Sequence, residues 1–140
     1  MLRGIVRGFL ALHRSVYRLT GGRIGGKFGR NRVLLLTTKG RRSGKPWTTP
    51  VFYLEDGQNL VVIASNNGRD QHPAWYLNLR QEPSVEVQVL GKRGPYQAGL
   101  AASEDRERYW RELATRYKGY ESYRRKTNRE FPIVVLEPLR

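Results

Sequence analysis

Val33-Leu34-Leu35-Leu36-Thr37-Thr38 is a continuous apolar run closed by two threonines, and Lys39-Gly40-Arg41-Arg42-Ser43-Gly44-Lys45 follows it directly. Six residues of this character, bounded by turn residues, predict a core strand rather than a helix. The two glycines and the run of cations then predict a tight basic turn. Trp47–Leu54 reads as the returning strand.

Further toward the C-terminus the β pattern continues. Asp56-Gly57 is a hairpin signal, and Asn59–Ala64 predicts a third strand. Ser65–His72 is a polar loop. Pro73 suits the first turn of a short helix that carries Trp75, Tyr76 and Leu79 to about Gln81. Val85, Val87 and Val89 alternate with Glu86 and Gln88, as in a half-buried strand. Gly91–Gly94 reads as a turn into a strand near Tyr96–Ala101. Ser103 stands as an N-cap before Glu104 and Asp105, opening a helix to about Tyr117 that breaks at Gly119. A short helix then carries Tyr120 and Tyr123. Phe131–Leu136 is a closing strand ended by Pro138. About six strands and three or four helices, without strand-helix-strand alternation, predict a small, mostly antiparallel barrel with helices laid on it.

Toward the N-terminus, residues 20–31 form a glycine-rich linker. Gly21 to Lys27 has the spacing of a phosphate-binding loop, but Phe28 stands where that motif needs Ser or Thr, so the motif is rejected. Residues 2–19 read as an amphipathic helix. Leu2, Ile5, Val6, Phe9, His13, Val16 and Tyr17 share one side, and Arg3, Arg7, Arg14 and Arg18 lie in an arc beside it. A basic rim on an apolar face suits an anionic membrane surface; packing on protein is the other reading. The organisation expected is an N-terminal segment of residues 1–30 and a barrel domain of residues 31–140.

Charge sharpens this division. The net charge is +14, and residues 1–45 hold twelve cations and no acid; the first acid is Glu55. The partner is therefore expected to be anionic. A nucleic acid fits poorly, because the cations do not alternate with aromatics as on a stacking platform. There is no cysteine, and His13 and His72 are too few for a metal site. No apolar run approaches the roughly 18 residues of a membrane span, and residues 1–19 lack signal-peptide features. A cytoplasmic protein is expected, peripheral on the inner face of the membrane where the N-terminal helix meets lipid rather than protein.

Three places could carry chemistry. In the Lys39–Lys45 turn, Arg41 and Arg42 could grip phosphate or carboxylate while backbone amides approach the same anion. Tyr117, Tyr120 and Tyr123 recur every three residues beside Gly119, which would gather their hydroxyls to orient a polar substrate or donate a proton; core packing is the alternative. Ser65, Asp70 and His72 share a loop, but without a nucleophile elbow they make a weak triad.

Taken in order, Leu34–Gly44, Ala64-Ser65-Asn66, Pro73-Ala74-Trp75-Tyr76-Leu77-Asn78-Leu79, the three tyrosines and Pro132-Ile133-Val134-Val135 resemble the deazaflavin-dependent nitroreductase family of actinobacterial oxidoreductases, over about residues 30–138. The resemblance implies a split β-barrel related to FMN-binding barrels. It implies coenzyme F420, a deazaflavin with a phosphate and an oligoglutamate tail. It also implies hydride transfer from the reduced coenzyme to a menaquinone-like quinone, a nitroaromatic or an activated enone, without a metal.

Carried onto this chain, the resemblance assigns Arg41, Arg42 and Ser43 to the phosphate and nearby tail. Trp47, Thr48, Thr49, Pro50, Val51 and Phe52 would line the ring and its side chain. Ile63, Ala64, Ser65 and Asn66 would approach the ring edge. Ala74, Trp75, Tyr76, Leu77 and Asn78 would meet the polar chain at a helix start. Tyr117, Tyr120 and Tyr123 would cap the open ring face, with a tyrosine or Ser65 hydroxyl polarising the acceptor oxygen. Phe52 stands where some members have tyrosine and Asn66 where some have lysine, so substrate range turns on those two positions. A non-enzymatic F420 carrier on the same barrel is the alternative, distinguished by binding without turnover.

Overall fold

The computed structural model describes residues 27–28 and 31–139; the helix and most of the linker expected over residues 1–26 lie outside the described residues. Strands β1 (Lys27–Phe28), β2 (Asn31–Lys39), β3 (Pro46–Phe52), β4 (Leu54–Asp56) and β5 (Asn59–Ile63) come first. Helix α1 (Ala74–Gln81), strands β6 (Ser84–Val89) and β7 (Lys92–Leu100), helices α2 (Ser103–Arg116) and α3 (Gly119–Lys126), and strand β8 (Ile133–Pro138) follow.

Every pairing is antiparallel, in the order β3-β2-β6-β7-β8-β5-β4, with β1 beside the start of β2. The sheet curls into a barrel through one stretch of chain. β3 pairs with β2 at one edge, and after a break at Tyr53 the chain continues as β4 and pairs with β5 at the other. The Tyr53 amide still reaches the Arg32 carbonyl, at 3.4 Å. Pro50 is tolerated because β3 pairs only with β2 and is an edge strand.

The apolar runs divide between two cores by strand alternation. Leu34 and Leu36 of β2, Leu60 and Val62 of β5, and Val134 and Leu136 of β8 face the barrel interior, where Trp75, Tyr76 and Leu79 of α1 join them. Val61, Ile63 and Ile133 face outward and are covered by Tyr109, Trp110 and Leu113 of α2, with Tyr117, Tyr120 and Phe131. Both faces of β5 are buried, so that strand reads as unbroken hydrophobicity rather than alternation.

The described residues hold eight strands where the sequence predicts about six. Lys27–Phe28 pairs inside the stretch read as linker. The strand read over Trp47–Leu54 is two, because the break at Tyr53 leaves hydropathy unchanged. Leu90 (φ 52°) and Gly91 (φ 101°) make the whole β6–β7 turn, so β7 begins at Lys92 rather than after Gly94. Ser103 is the first residue of α2 and not its cap; Ala102 holds that position, and its carbonyl accepts from the Asp105 amide at 2.9 Å.

Candidate functional site

The β2–β3 turn is closed by its own backbone. The Gly40 amide donates to the Lys45 carbonyl and the Gly44 amide to the Gly40 carbonyl, each at 2.8 Å. Gly44 has φ +72°, a conformation that favours glycine, and a Cβ on Gly40 would stand 2.7 Å from Ser43 Oγ, so a side chain there would displace that hydroxyl. The Ser43 hydroxyl accepts from the Lys45 amide at 3.2 Å. Arg41 is fixed from outside the turn: its amide and Nη1 donate to Asn78 Oδ1 of α1, at 3.1 and 3.0 Å. Asn78, 3% exposed, donates in turn to Thr38 Oγ1 at 3.0 Å. α1 therefore sets the basic turn through one buried amide. Arg42, Ser43 and Lys45 stay exposed. A cavity of about 210 Å³ opens beside Lys39 and Arg41, with one acid, Glu82, in its wall.

At the open end of the same hairpin lies a larger cavity, about 870 Å³, walled by Phe52, Tyr117, Tyr120 and Tyr123 with Arg32 and Lys118 among its lining. From the Lys39–Pro46 pair to the Val33–Phe52 pair is six residues, about 20 Å along the strands. Phe52 stacks on Tyr117 with centroids 4.5 Å apart, and Tyr120 meets both Tyr117 and Tyr123 edge-on. The three tyrosines differ in what their hydroxyls do. Tyr117 accepts from the Arg32 amide at 3.3 Å and lies 3.0 Å from the Tyr53 carbonyl and 3.2 Å from the Arg32 carbonyl. It therefore pins the start of β2 to the barrel-closing break, and burial pushes its phenol up. Tyr120 is 5% exposed, and among the described residues no hydrogen bond is formed to its hydroxyl. Burial, then the neighbouring tyrosines, push that phenol far above its ordinary value, so it remains protonated. Tyr123 is half-buried.

The loop after β5 completes this end. Ser65 is buried, and Asn66, Asn67 and Gly68 have φ of 50°, 57° and 79° in succession. A Cβ on Gly68 would lie 2.8 Å from the Cα and carbonyl oxygen of Tyr123, so the loop touches the backbone of α3 itself. Arg129 holds the loop from the other side. It donates to the carbonyls of Ser65 (2.7 Å), Arg69 (3.0 Å) and Ala64 (3.2 Å), and its Nη1 lies 2.9 Å from His72 Nδ1. Arg129 has no acceptor atom, so Nδ1 accepts and the proton sits on Nε2. Burial and the cations Arg129 and Arg80 lower the His72 pKa. Asp70 accepts from Thr127 Oγ1 at 2.6 Å. Both residues are thus engaged outside a Ser-His-Asp relay.

Of the residues expected to act together, two groups form. Arg41, Arg42, Ser43 and Asn78 lie at the turn; Phe52, Ser65, Asn66 and the tyrosines lie at the far end. Trp47, Thr48, Thr49, Pro50 and Val51 run between them, and Thr48 Oγ1 meets Thr37 Oγ1 at 2.7 Å across the pair. Ile63 and Ala64 lead into the loop, buried. Ala74 is exposed and Leu77 half-buried, while Trp75 and Tyr76 are 7% and 6% exposed and pack in the barrel. Sequence reasoning missed Arg129, which lies in the polar run 127–130 and resembles a solvated turn. Its targets are about 60 residues away, at a separation no local pattern marks. Asp56, read only as a turn residue, also accepts from Tyr109 and Arg108 and ties α2 to the β4–β5 hairpin.

Residues 10–138 match the family model described as F420H(2)-dependent quinone reductase. An F420H(2)-dependent quinone reductase of Mycobacterium tuberculosis strain H37Rv is 38% identical over 138 residues, covering 91% of this chain and 88% of that protein. A solved F420-H2 dependent reductase, FDR-A, superposes with a TM-score of 0.69 at 34% identity, covering 75% of this chain and 93% of that one. A solved chain described as a domain-swapped dimer superposes with a TM-score of 0.72 at 29% identity, over 98% and 100% of the two chains.

Proposed function

The chain belongs to the F420H(2)-dependent quinone reductase family and is an F420-dependent oxidoreductase, and on that premise we propose how its own residues divide the work. Reduced F420 supplies the hydride, and a quinone receives it. The observation that carries the assignment is the β2–β3 hairpin, with an exposed polycationic turn at one end and an aromatic cavity at the other. The donor set fits the coenzyme: guanidinium and ammonium groups suit phosphate and glutamate, and a cavity walled by Phe52 and tyrosines suits a flat ring.

At the turn, Arg41 is held in place by Asn78, so little side-chain entropy is lost when it meets an anion. Arg42, Ser43 and Lys45 add exposed donors. At the ring end, Phe52, Tyr120 and Tyr123 line the cavity and are assigned to the acceptor side, and the Ser65–Asn66 segment, which adjoins Tyr123 through Gly68, is assigned to the ring edge. Tyr117 contributes its ring, since its hydroxyl serves the backbone. Tyr120, protonated and without a hydrogen-bond partner among the described residues, is assigned the donor role toward the acceptor oxygen; the buried Ser65 hydroxyl is the second candidate. Nitroaromatics and enones are proposed as further acceptors, their range set by Phe52 and Asn66. Contact of residues 1–19 with an anionic membrane is proposed from their sequence pattern; no described helix is long and apolar enough to cross a membrane.

The test is titration with F420 and with FMN, then oxidation of the reduced coenzyme by menadione, a nitroimidazole and an enone. F420 binding with menadione-dependent turnover is expected. Tight FMN binding without F420 affinity would sink the assignment, and F420 binding without turnover would make the protein a carrier. For the membrane contact, deleting residues 1–19 should reduce salt-sensitive binding to anionic vesicles and spare F420 affinity; unchanged vesicle binding would refute it.

A further inference from the structure

We infer that Arg129 is a positioning residue for the ring end of the site, acting through the backbone of the Ala64–Arg69 loop and not by touching coenzyme or acceptor. The inference rests on the proposed function in one respect, that this loop meets the coenzyme ring.

β5 ends at Ile63, so the carbonyls that follow have no sheet partner. Those of Ala64, Ser65 and Arg69 all accept from the one guanidinium. Among the described residues Arg129 makes no ion pair with a carboxylate; its donors go to these carbonyls and to His72. A planar fork of five N–H groups can serve divergent acceptors at once, which an ammonium on a flexible stem cannot reproduce. The geometry it holds is costly. Asn66 and Asn67 are consecutive non-glycine residues at positive φ, a state that persists only where surrounding contacts over-determine it. Arg129 supplies those contacts on one side and the Gly68–Tyr123 backbone contact supplies them on the other.

Arg129 is itself well anchored. It stacks over Phe131 at 4.8 Å, and the Ala64 amide donates to the Pro132 carbonyl at 2.9 Å, so the start of β8 and the end of β5 are tied together at this point. The segment between α3 and β8 thus sets the distance between the ring-edge loop and the tyrosine helix. A displaced loop would move Ser65 and Asn66 relative to Tyr123, with consequences for ring binding and for the placement of the acceptor.

The experiment compares Arg129→Lys and Arg129→Ala with the parent protein. Three quantities are measured: affinity for F420, affinity for the deazaflavin chromophore lacking phosphate and glutamates, and kcat and KM for menadione, with Tm alongside. Both variants should lose affinity for the two ligands by the same factor, about tenfold, and the loss should not change with salt. kcat should fall further than KM rises. Lysine should restore Tm relative to alanine without restoring ring affinity, and it carries the test if the alanine variant does not fold. Loss for intact F420 alone would mean a long-range charge effect, and parental binding and turnover in Arg129→Lys would mean a structural role; either overturns the inference. A parent protein that binds neither ligand would instead overturn the proposed function.

Discussion

At its turn the β2–β3 hairpin presents Lys39, Arg42 and Lys45 to solvent, and only Arg41 is held by another element. About 20 Å away the same two strands end in packed rings, a saturated Tyr117 hydroxyl and a loop in backbone contact with a helix. The exposed donors of the turn are hydrated and screened by salt, which suits the flexible, charged tail proposed there. The far end is more constrained, because Tyr117 is tied by hydrogen bonds to Arg32 and Tyr53 and Gly68 is packed on the Tyr123 backbone, which suits the rigid ring proposed there. Substitutions at the ring end should therefore change stability and turnover, and substitutions at the turn should change salt-dependent affinity.

The largest effect is expected at Gly68. Gly68→Ala places a methyl against the Tyr123 backbone at positive φ, costing about 3 kcal/mol and lowering Tm by about 10 °C. Menadione turnover should fall with it. A variant with parental Tm would show that the loop and α3 are separable, and the contrast between constrained and exposed ends would fail.

The next pair separates structure from chemistry within one stripe. Tyr117→Phe removes the hydroxyl that joins Arg32 to Tyr53, leaves their carbonyls less satisfied, and should cost about 1–2 kcal/mol of stability with kcat changed little. Tyr120→Phe removes a hydroxyl with no hydrogen-bond partner among the described residues, so stability should hold while kcat falls by about 10- to 100-fold. Parental kcat in Tyr120→Phe would return that residue to packing and transfer the donor role to Ser65.

This pair also marks how far the sequence could be read. The strand at Val33–Thr38, the hairpin at Asp56-Gly57 and α2, marked by Glu104 and Asp105 in its first turn and Gly119 beyond its end, were legible because each is specified by neighbours a few residues apart, although the cap is Ala102 and not Ser103. The cluster of Tyr117, Tyr120 and Tyr123 was legible as a cluster, but which hydroxyl is committed to backbone depends on Arg32, 85 residues away. The break at Tyr53 was not legible, because barrel closure exchanges one hydrogen-bonding partner for another without altering hydropathy. The fork of Arg129 was hidden for the same reason: its acceptors are backbone carbonyls, which every residue has.

At the turn the effect should be smaller and of a different kind. Arg42→Ala should weaken F420 binding by about 5- to 10-fold at low salt, about 1 kcal/mol. It should leave the tail-less chromophore unaffected and lose most of its effect near 0.5 M salt, where screening is short-ranged. A loss that persists in high salt would mean that Arg42 makes a desolvated contact, and the turn would then resemble the ring end.

The smallest effect is a pH dependence that belongs only to the ring end. His72 accepts from Arg129 through Nδ1, packs 4.8 Å from the Tyr76 ring, and faces Arg80 as well as Arg129. Burial first and then these two cations hold its folded pKa below 6.5. As pH falls through 6.5 the unfolded chain takes up a proton that the folded histidine resists, so the unfolded state binds more protons and stability declines. The contribution is present above that pH and is lost on acidification toward the lowered folded value. His72→Asn keeps an acceptor near the position of Nδ1 and cannot titrate, so its Tm should lose less than the parent's between pH 7.5 and about 5.5. Parallel Tm curves would mean that His72 exchanges protons freely in the fold, and that the Arg129 fork holds three carbonyls without help from the ring.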